Sequence, residues 1–244
     1  MFGAAAAHPV HRPGSPRESV FAVVAAVAVS HALLPLWLKL AFTGFILVWL
    51  PLVVTAWGWQ NLLWLCDLAN LIVLIGLWLE SRLLLSSQLV ATLVIGLAWT
   101  IDLACALALG VHPFAATPYL FDASQPLAPR LASFFHVGVP LLLLYVVSRL
   151  GHDRRGWQLQ TVLCWIVLPL SAWLTNPERG INRIDAPFGF DLASLPDTLS
   201  LLIRMVAYPL VLYLPAEALL RWLFAEDPSE GRSEARRAGR EPRD

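Results

Sequence analysis

Six residues set in otherwise apolar stretches carry groups from which chemistry could be built: Cys66, Asp67, Asn70, Asp102, His136 and Arg204. A thiol attacks a carbonyl carbon once a base has taken its proton, and histidine is the side chain whose ordinary pKa suits that exchange near neutral pH. An aspartate would orient the imidazole, and Arg204 would hold an anionic group such as a phosphate or carboxylate. His136, Asp67 and Cys66 are therefore the candidate catalytic residues, with Arg204, Asp102 and Asn70 as candidate substrate-binding residues. Helical spacing puts Cys66 and Asn70 on one face (i, i+4), and Asp67 and Asn70 on a neighbouring one (i, i+3). The same residue types also have a plain structural use. Asp67 or Asp102 paired with Arg204, and His136 bonded to a backbone carbonyl, would fix helix register without any reaction.

The elements that must position these groups are apolar helices. The 244-residue chain is 58% hydrophobic and only 14% charged, against about 25% charged in soluble domains. The run NLLWLCDLANLIVLIGLWLE sets the pattern: it reaches the roughly 20 residues that cross a bilayer, with a carboxylate inside it. Hydropathy predicts an all-α, polytopic transmembrane helical bundle with six full spans, at about 38–57, 61–79, 85–109, 132–149, 157–175 and 199–224. A partly inserted or interfacial helix within 20–35 precedes them, so the helical domain covers 20–224, between disordered tails at 1–19 and 225–244. Pro209 and Pro215 predict kinks in the last span. Lys39 is expected to snorkel to headgroups, and Glu217 to pair with Arg221 (i, i+4).

Arginine placement orients the bundle. Six spans put both termini on one side, where twelve of the sixteen arginines fall, against Arg130, Arg179 and Arg183 on the other. The positive-inside rule then makes the termini cytoplasmic in a cell-membrane protein. The long loops 110–131 and 176–198 become extracytoplasmic, and their length and aromatic or charged content predict that they fold over the outer mouth. His112 and Asp122 would join that mouth. At 1.5 Å per residue, Asp67, Asp102, His136 and Arg204 all lie about 6–10 Å below the outer ends of their spans, in one slab. The inner halves read as almost purely apolar, which argues against continuous conduction.

Zero net charge predicts no nucleic-acid partner; the lipid bilayer is the expected one, a lipid the expected substrate. Cys66, Cys105 and Cys164 stand in no metal-ligand spacing, so neither a zinc site nor a cofactor is expected. The segments WLKLAFT, NLLWLCDLANL and YLFDASQPLAPRLASFFHVGVPLLLLYVVSRLGHDRR resemble a group of uncharacterised bacterial membrane-associated proteins, over roughly residues 36–224. In that group serine often stands at the position of Cys66, followed by an aspartate, which shifts weight toward Asp67 and His136. The layout of Cys66 and His136 also resembles that of androgen-induced-type membrane hydrolases of lipid esters and a related phospholipid acyltransferase. That resemblance implies intramembrane acyl-ester hydrolysis or transfer. The alternatives are a non-catalytic membrane scaffold or assembly protein and a lipid or small-solute transporter.

Overall fold

A computed structural model of the chain describes residues 33–182 and 195–224. The expected tails, residues 20–32 of the expected first helix and most of the second long loop lie outside the described residues. Within them the chain is helical: α1 Leu36–Trp57, a 3-10 turn Trp59–Leu63, α2 Leu65–Leu79, α3 Arg82–Leu109, α4 Pro118–Phe121, α5 Leu127–Ala132, α6 Phe135–Leu150, α7 Gly156–Leu174, a 3-10 turn Pro177–Arg179, α8 Asp197–Ala207, a π-helical turn Tyr208–Tyr213 and α9 Leu214–Leu223.

Five stretches are long and apolar enough to cross a membrane: Leu36–Trp57, Arg82–Leu109, Leu127–Leu150, Gly156–Leu174 and Asp197–Leu223. The second expected span is different. Its helix is the 15-residue α2, about 22 Å long, shorter than the roughly 30 Å hydrocarbon core. Gly58, at φ +82°, turns the chain out of α1, and Trp64 adopts extended backbone before α2 begins, so the first residues of the expected span form a 3-10 turn instead.

Although short, α2 returns to the start of α1. Glu80, just past its end, accepts a hydrogen bond from Lys39 Nζ at 2.7 Å and from the N–H groups of Leu33 and Leu34 at 2.9 and 3.2 Å. Lys39 is thus buried in an ion pair rather than extended to headgroups. Pairing is the cheaper solution because a lone buried charge loses its hydration with nothing in return. Burial alone would raise the Glu80 carboxyl, but Lys39 and the two N–H groups outweigh it and hold the group below its ordinary value.

The long helix α3 is the axis of the fold and packs most extensively on α6, α7 and α2. Two glycine positions permit these approaches. A Cβ at Gly156 would meet Ser86 and Ser87 of α3 at 2.9–3.0 Å, and one at Gly96 would strike the His136 carbonyl and come within 2.8 Å of Pro140. Pro140 has no N–H to offer the His136 carbonyl one turn earlier, and α3 packs closely against that carbonyl at Gly96.

The half of the bundle opposite the long loops is not purely apolar, contrary to the sequence expectation. Gln88 of α3 donates to Gln160 of α7 at 3.2 Å, and Gln160 reaches the Tyr213 hydroxyl at 3.5 Å, all three being essentially buried. Near the same end Glu217 accepts from Arg221 at 2.7 Å, as its spacing predicts, and also meets His152 at 3.1 Å. A window average dilutes one glutamine or tyrosine among many apolar residues, so a run that buries them still reads as a span. The π-helical turn runs from Tyr208 to Tyr213, whose rings lie 6.4 Å apart.

Candidate functional site

The fold divides the candidate residues among three settings. In the first, Cys66 and His136 line one crevice together with Thr92, Ile95, Phe135, Val139 and Pro140. Cys66 is the second residue of α2 and His136 the second of α6, so both sit at helix starts beneath the loops. The crevice measures about 10 Å³, space for roughly one water.

The imidazole is held on both faces and at one nitrogen. Its ring stacks on Trp99 at 5.3 Å with planes 9° apart and on Phe135 at 4.1 Å. Nδ1 lies 2.8 Å from the Ser133 carbonyl oxygen. A carbonyl can only accept, so Nδ1 carries the proton and Nε2 is the basic nitrogen of the neutral ring. The orienting group that the sequence reading sought in an aspartate is therefore a backbone carbonyl. Trp99 is itself fixed by donating to the Tyr119 hydroxyl at 3.2 Å.

Asp67 lies beside this crevice, buried, and accepts from Asn61 Nδ2 at 2.5 Å. Tyr119 is within electrostatic reach of Cys66 and Asp67. Burial first, and then those two groups, push its phenol above the ordinary value, against hydrogen bonds with Ser133 and Trp99. Asn70, one helical turn beyond Cys66, is completely buried, and neither atom of its amide has a hydrogen-bond partner.

The second setting is Asp102, which is fully buried and committed to the first long loop. One oxygen accepts from Phe114 N–H at 2.7 Å. The other accepts from the N–H groups of Ala116 and Thr117 at 3.1 and 2.9 Å, and from the Thr117 hydroxyl at 2.6 Å. His112 Nδ1 stands 3.2 Å from the same oxygen. With its lone pairs so used, Asp102 is a loop anchor and leaves the substrate-binding set. Asp122 caps its own turn by accepting from Ser124 at 2.7–2.9 Å.

The third setting holds Arg204, buried on α8 and lining a cavity of about 90 Å³ with Asp197, Ser171, Thr175, Asn176 and Asn182. Asn182 is its link to the crevice. The side chain accepts from Leu65 N–H at 3.0 Å and donates to the Leu63 carbonyl at 2.7 Å, pinning the start of α2 next to Cys66. Tyr208 donates to the Asn182 carbonyl at 3.4 Å and lies within electrostatic reach of both Arg204 and Cys66.

Both long loops also grip the α1–α2 joint. Trp57 donates to Gln125 at 3.3 Å, while Arg179 donates to Gln60 at 2.7 Å and to the Trp57 carbonyl. The fold thus brings together Cys66 and His136, ties Asp67 to Asn61 instead, and sets Asp102 and Arg204 in surroundings of their own. Residues that the sequence reading missed are Ser133, Trp99 and Tyr119 around the imidazole, and Asn61 and Asn182 around α2. A loop asparagine or a mid-span tryptophan carries no spacing signal that would single it out. Comparison with models of protein families, with curated proteins and with solved structures finds no match to this chain.

Proposed function

We propose that this multi-pass membrane protein cleaves or transfers the acyl group of a lipid ester, with Cys66 as nucleophile and His136 as general base. The observation that carries the reading is the shared crevice of these two residues, with Nδ1 of His136 tied to Ser133 so that Nε2 is the nitrogen available for proton transfer. Six crossings are proposed, α2 with its 3-10 turn completing the second, and the arginine distribution sets the loop end on the extracytoplasmic side.

The steps balance as follows. Nε2 of His136 takes the Cys66 thiol proton, and Sγ attacks the ester carbonyl to give a tetrahedral oxyanion. Collapse breaks the carbon–oxygen bond, and the leaving alkoxide takes the proton back from Nε2, which leaves an acyl thioester on Cys66. Water, or the hydroxyl of a second lipid, then gives its proton to Nε2 and attacks the thioester. The thiolate leaves and is reprotonated. A crevice of about 10 Å³ admits no ester, so binding must part α2 from α6. In this reading Arg204, which lines a cavity with Asn182, takes an anionic part of the substrate.

The transport reading draws on the buried row Gln88, Gln160 and Tyr213. Those side chains hydrogen-bond one another, which fastens α3 to α7 and the last span instead of solvating cargo. The scaffold reading draws on Asp102, whose role is purely structural, but leaves the coincidence of Cys66 and His136 without a purpose. The purified protein in phospholipid nanodiscs, assayed for fatty-acid release or acyl exchange, tests the proposal. Cys66→Ala should abolish turnover and His136→Ala should lower it about 100-fold or more. Undiminished turnover in either variant refutes the assignment.

A further inference from the structure

We infer that Asn70 is a further catalytic residue, whose side-chain amide donates to the oxyanion formed when Cys66 attacks the ester. The inference rests on the acyl-transfer reading above and deepens it. Its starting point is an anomaly of packing. Asn70 is 0% exposed, yet neither its oxygen nor its nitrogen is hydrogen-bonded.

A buried amide without partners costs about 1–3 kcal/mol per group. Apolar neighbours would serve the helix better, since leucine or alanine at this position carries no such cost. Buried polar groups are nearly always satisfied, so an exception calls for a reason. Packing supplies none here: Ala69 and Val73, the adjacent buried residues of α2, are ordinary core.

Position supplies the reason. Asn70 follows Cys66 by four residues on a continuous helix, so the two side chains share a face. Helical side chains lean toward the N-terminus, which tilts the amide of residue i+4 back over residue i. Cys66 faces the crevice between α3 and α6, where His136 supplies the base. The N–H groups of Cys66 and Asp67, in the first turn of α2, already lie against the sulfur. A side-chain donor on the same face would add to them in holding the negative charge on the former carbonyl oxygen. Fixed donors aimed at developing charge in a water-poor site are commonly the largest single contribution to such reactions. An amide that is unpaired in the resting protein and paired only in the tetrahedral adduct is bound more tightly in the transition state than before it. That difference is what accelerates a reaction.

The test exploits two opposite expectations. An oxyanion donor that is unpaired at rest predicts that Asn70→Leu leaves the folded protein at least as stable while kcat falls about 100–1000-fold and KM stays unchanged. A structural asparagine predicts the reverse: lower thermal stability with kcat nearly intact. Full-length wild type, Asn70→Leu and the smaller Asn70→Ala would be compared in nanodiscs with a phospholipid substrate, by turnover and by thermal unfolding. Loss of kcat in Asn70→Ala at unchanged KM and unchanged melting temperature supports the inference even where leucine overpacks the site. Kinetics close to wild type in Asn70→Ala, or a drop in stability that accounts for the lost activity, overturns it. Failure of the underlying reading looks different: Cys66→Ala would then turn over as fast as wild type, whatever Asn70 does.

Discussion

Replacing Asp102 by asparagine changes almost no volume, yet it should cost this protein much of its stability. The new amide can turn either way, and its better orientation keeps the oxygen in the place of Oδ2. There it accepts from the N–H groups of Ala116 and Thr117, at 3.1 and 2.9 Å from that oxygen, and from the Thr117 hydroxyl. Its NH2 group then faces the Phe114 N–H, which lies 2.7 Å from the Oδ1 it replaces. One backbone donor left unpaired costs about 1–3 kcal/mol. At about 2–4 °C per kcal/mol for a chain of this size, the melting temperature should fall by at least about 2 °C. Thermal unfolding in a mild detergent reads this directly, and limited proteolysis should show faster cutting within 110–131 as the loop comes loose. A melting temperature within about 1 °C of wild type, with the loop equally resistant, would refute the anchoring argument. It would return Asp102 to the list of residues available to a ligand.

Three further expectations follow from other parts of the fold. Gly96→Ala places a methyl group against the His136 carbonyl and Pro140, so it should push α6 from α3 and lower turnover well beyond its effect on melting temperature; equal turnover in the two proteins would show that this crossing does not position the imidazole. Glu80 has a folded pKa below its unfolded one, so its contribution is present above the unfolded value of about 4.3 and disappears as pH falls through the folded one. Glu80→Gln should therefore flatten the acid limb of the stability–pH curve, and an unchanged limb would mean that the Lys39 pair does not matter there. Lys39→Met leaves the half-buried Glu80 carboxylate without its cation and should destabilise, with Lys39→Met/Glu80→Gln recovering most of the loss in chemical unfolding experiments. A double variant no better than the single one would contradict this.

What was legible in the sequence follows from what hydropathy measures. Long apolar runs with turn residues between them define helices, so α1, α3, α6, α7 and the last span stand close to their expected positions. The shortening of α2 was hidden because Trp59–Leu63 is as apolar in a 3-10 turn as in an α-helix; only Gly58, with its left-handed backbone, signals the break. Azimuth was not legible. Asp102 turns into a loop and His136 into a crevice, and which neighbour each meets depends on helix packing. The role of Lys39 was misread for the same reason: its partner Glu80 lies on a different helix, and no spacing rule joins them. Spacing within one helix did carry information. Glu217 with Arg221 and Cys66 with Asn70 are pairs of that kind, and the second of them is where the further inference stands.

The central claim is that the Cys66 sulfur takes the acyl group and that His136 makes it able to do so. The most direct measurement is to incubate the full-length protein with phospholipid carrying a labelled acyl chain, quench in acid and locate the label by peptide mass spectrometry. The account predicts a hydroxylamine-labile acyl group on the peptide containing Cys66, absent in Cys66→Ala and formed about 100-fold or more slowly in His136→Ala. Label found only on Cys105 or Cys164, or ester turnover that persists without Cys66, would contradict it.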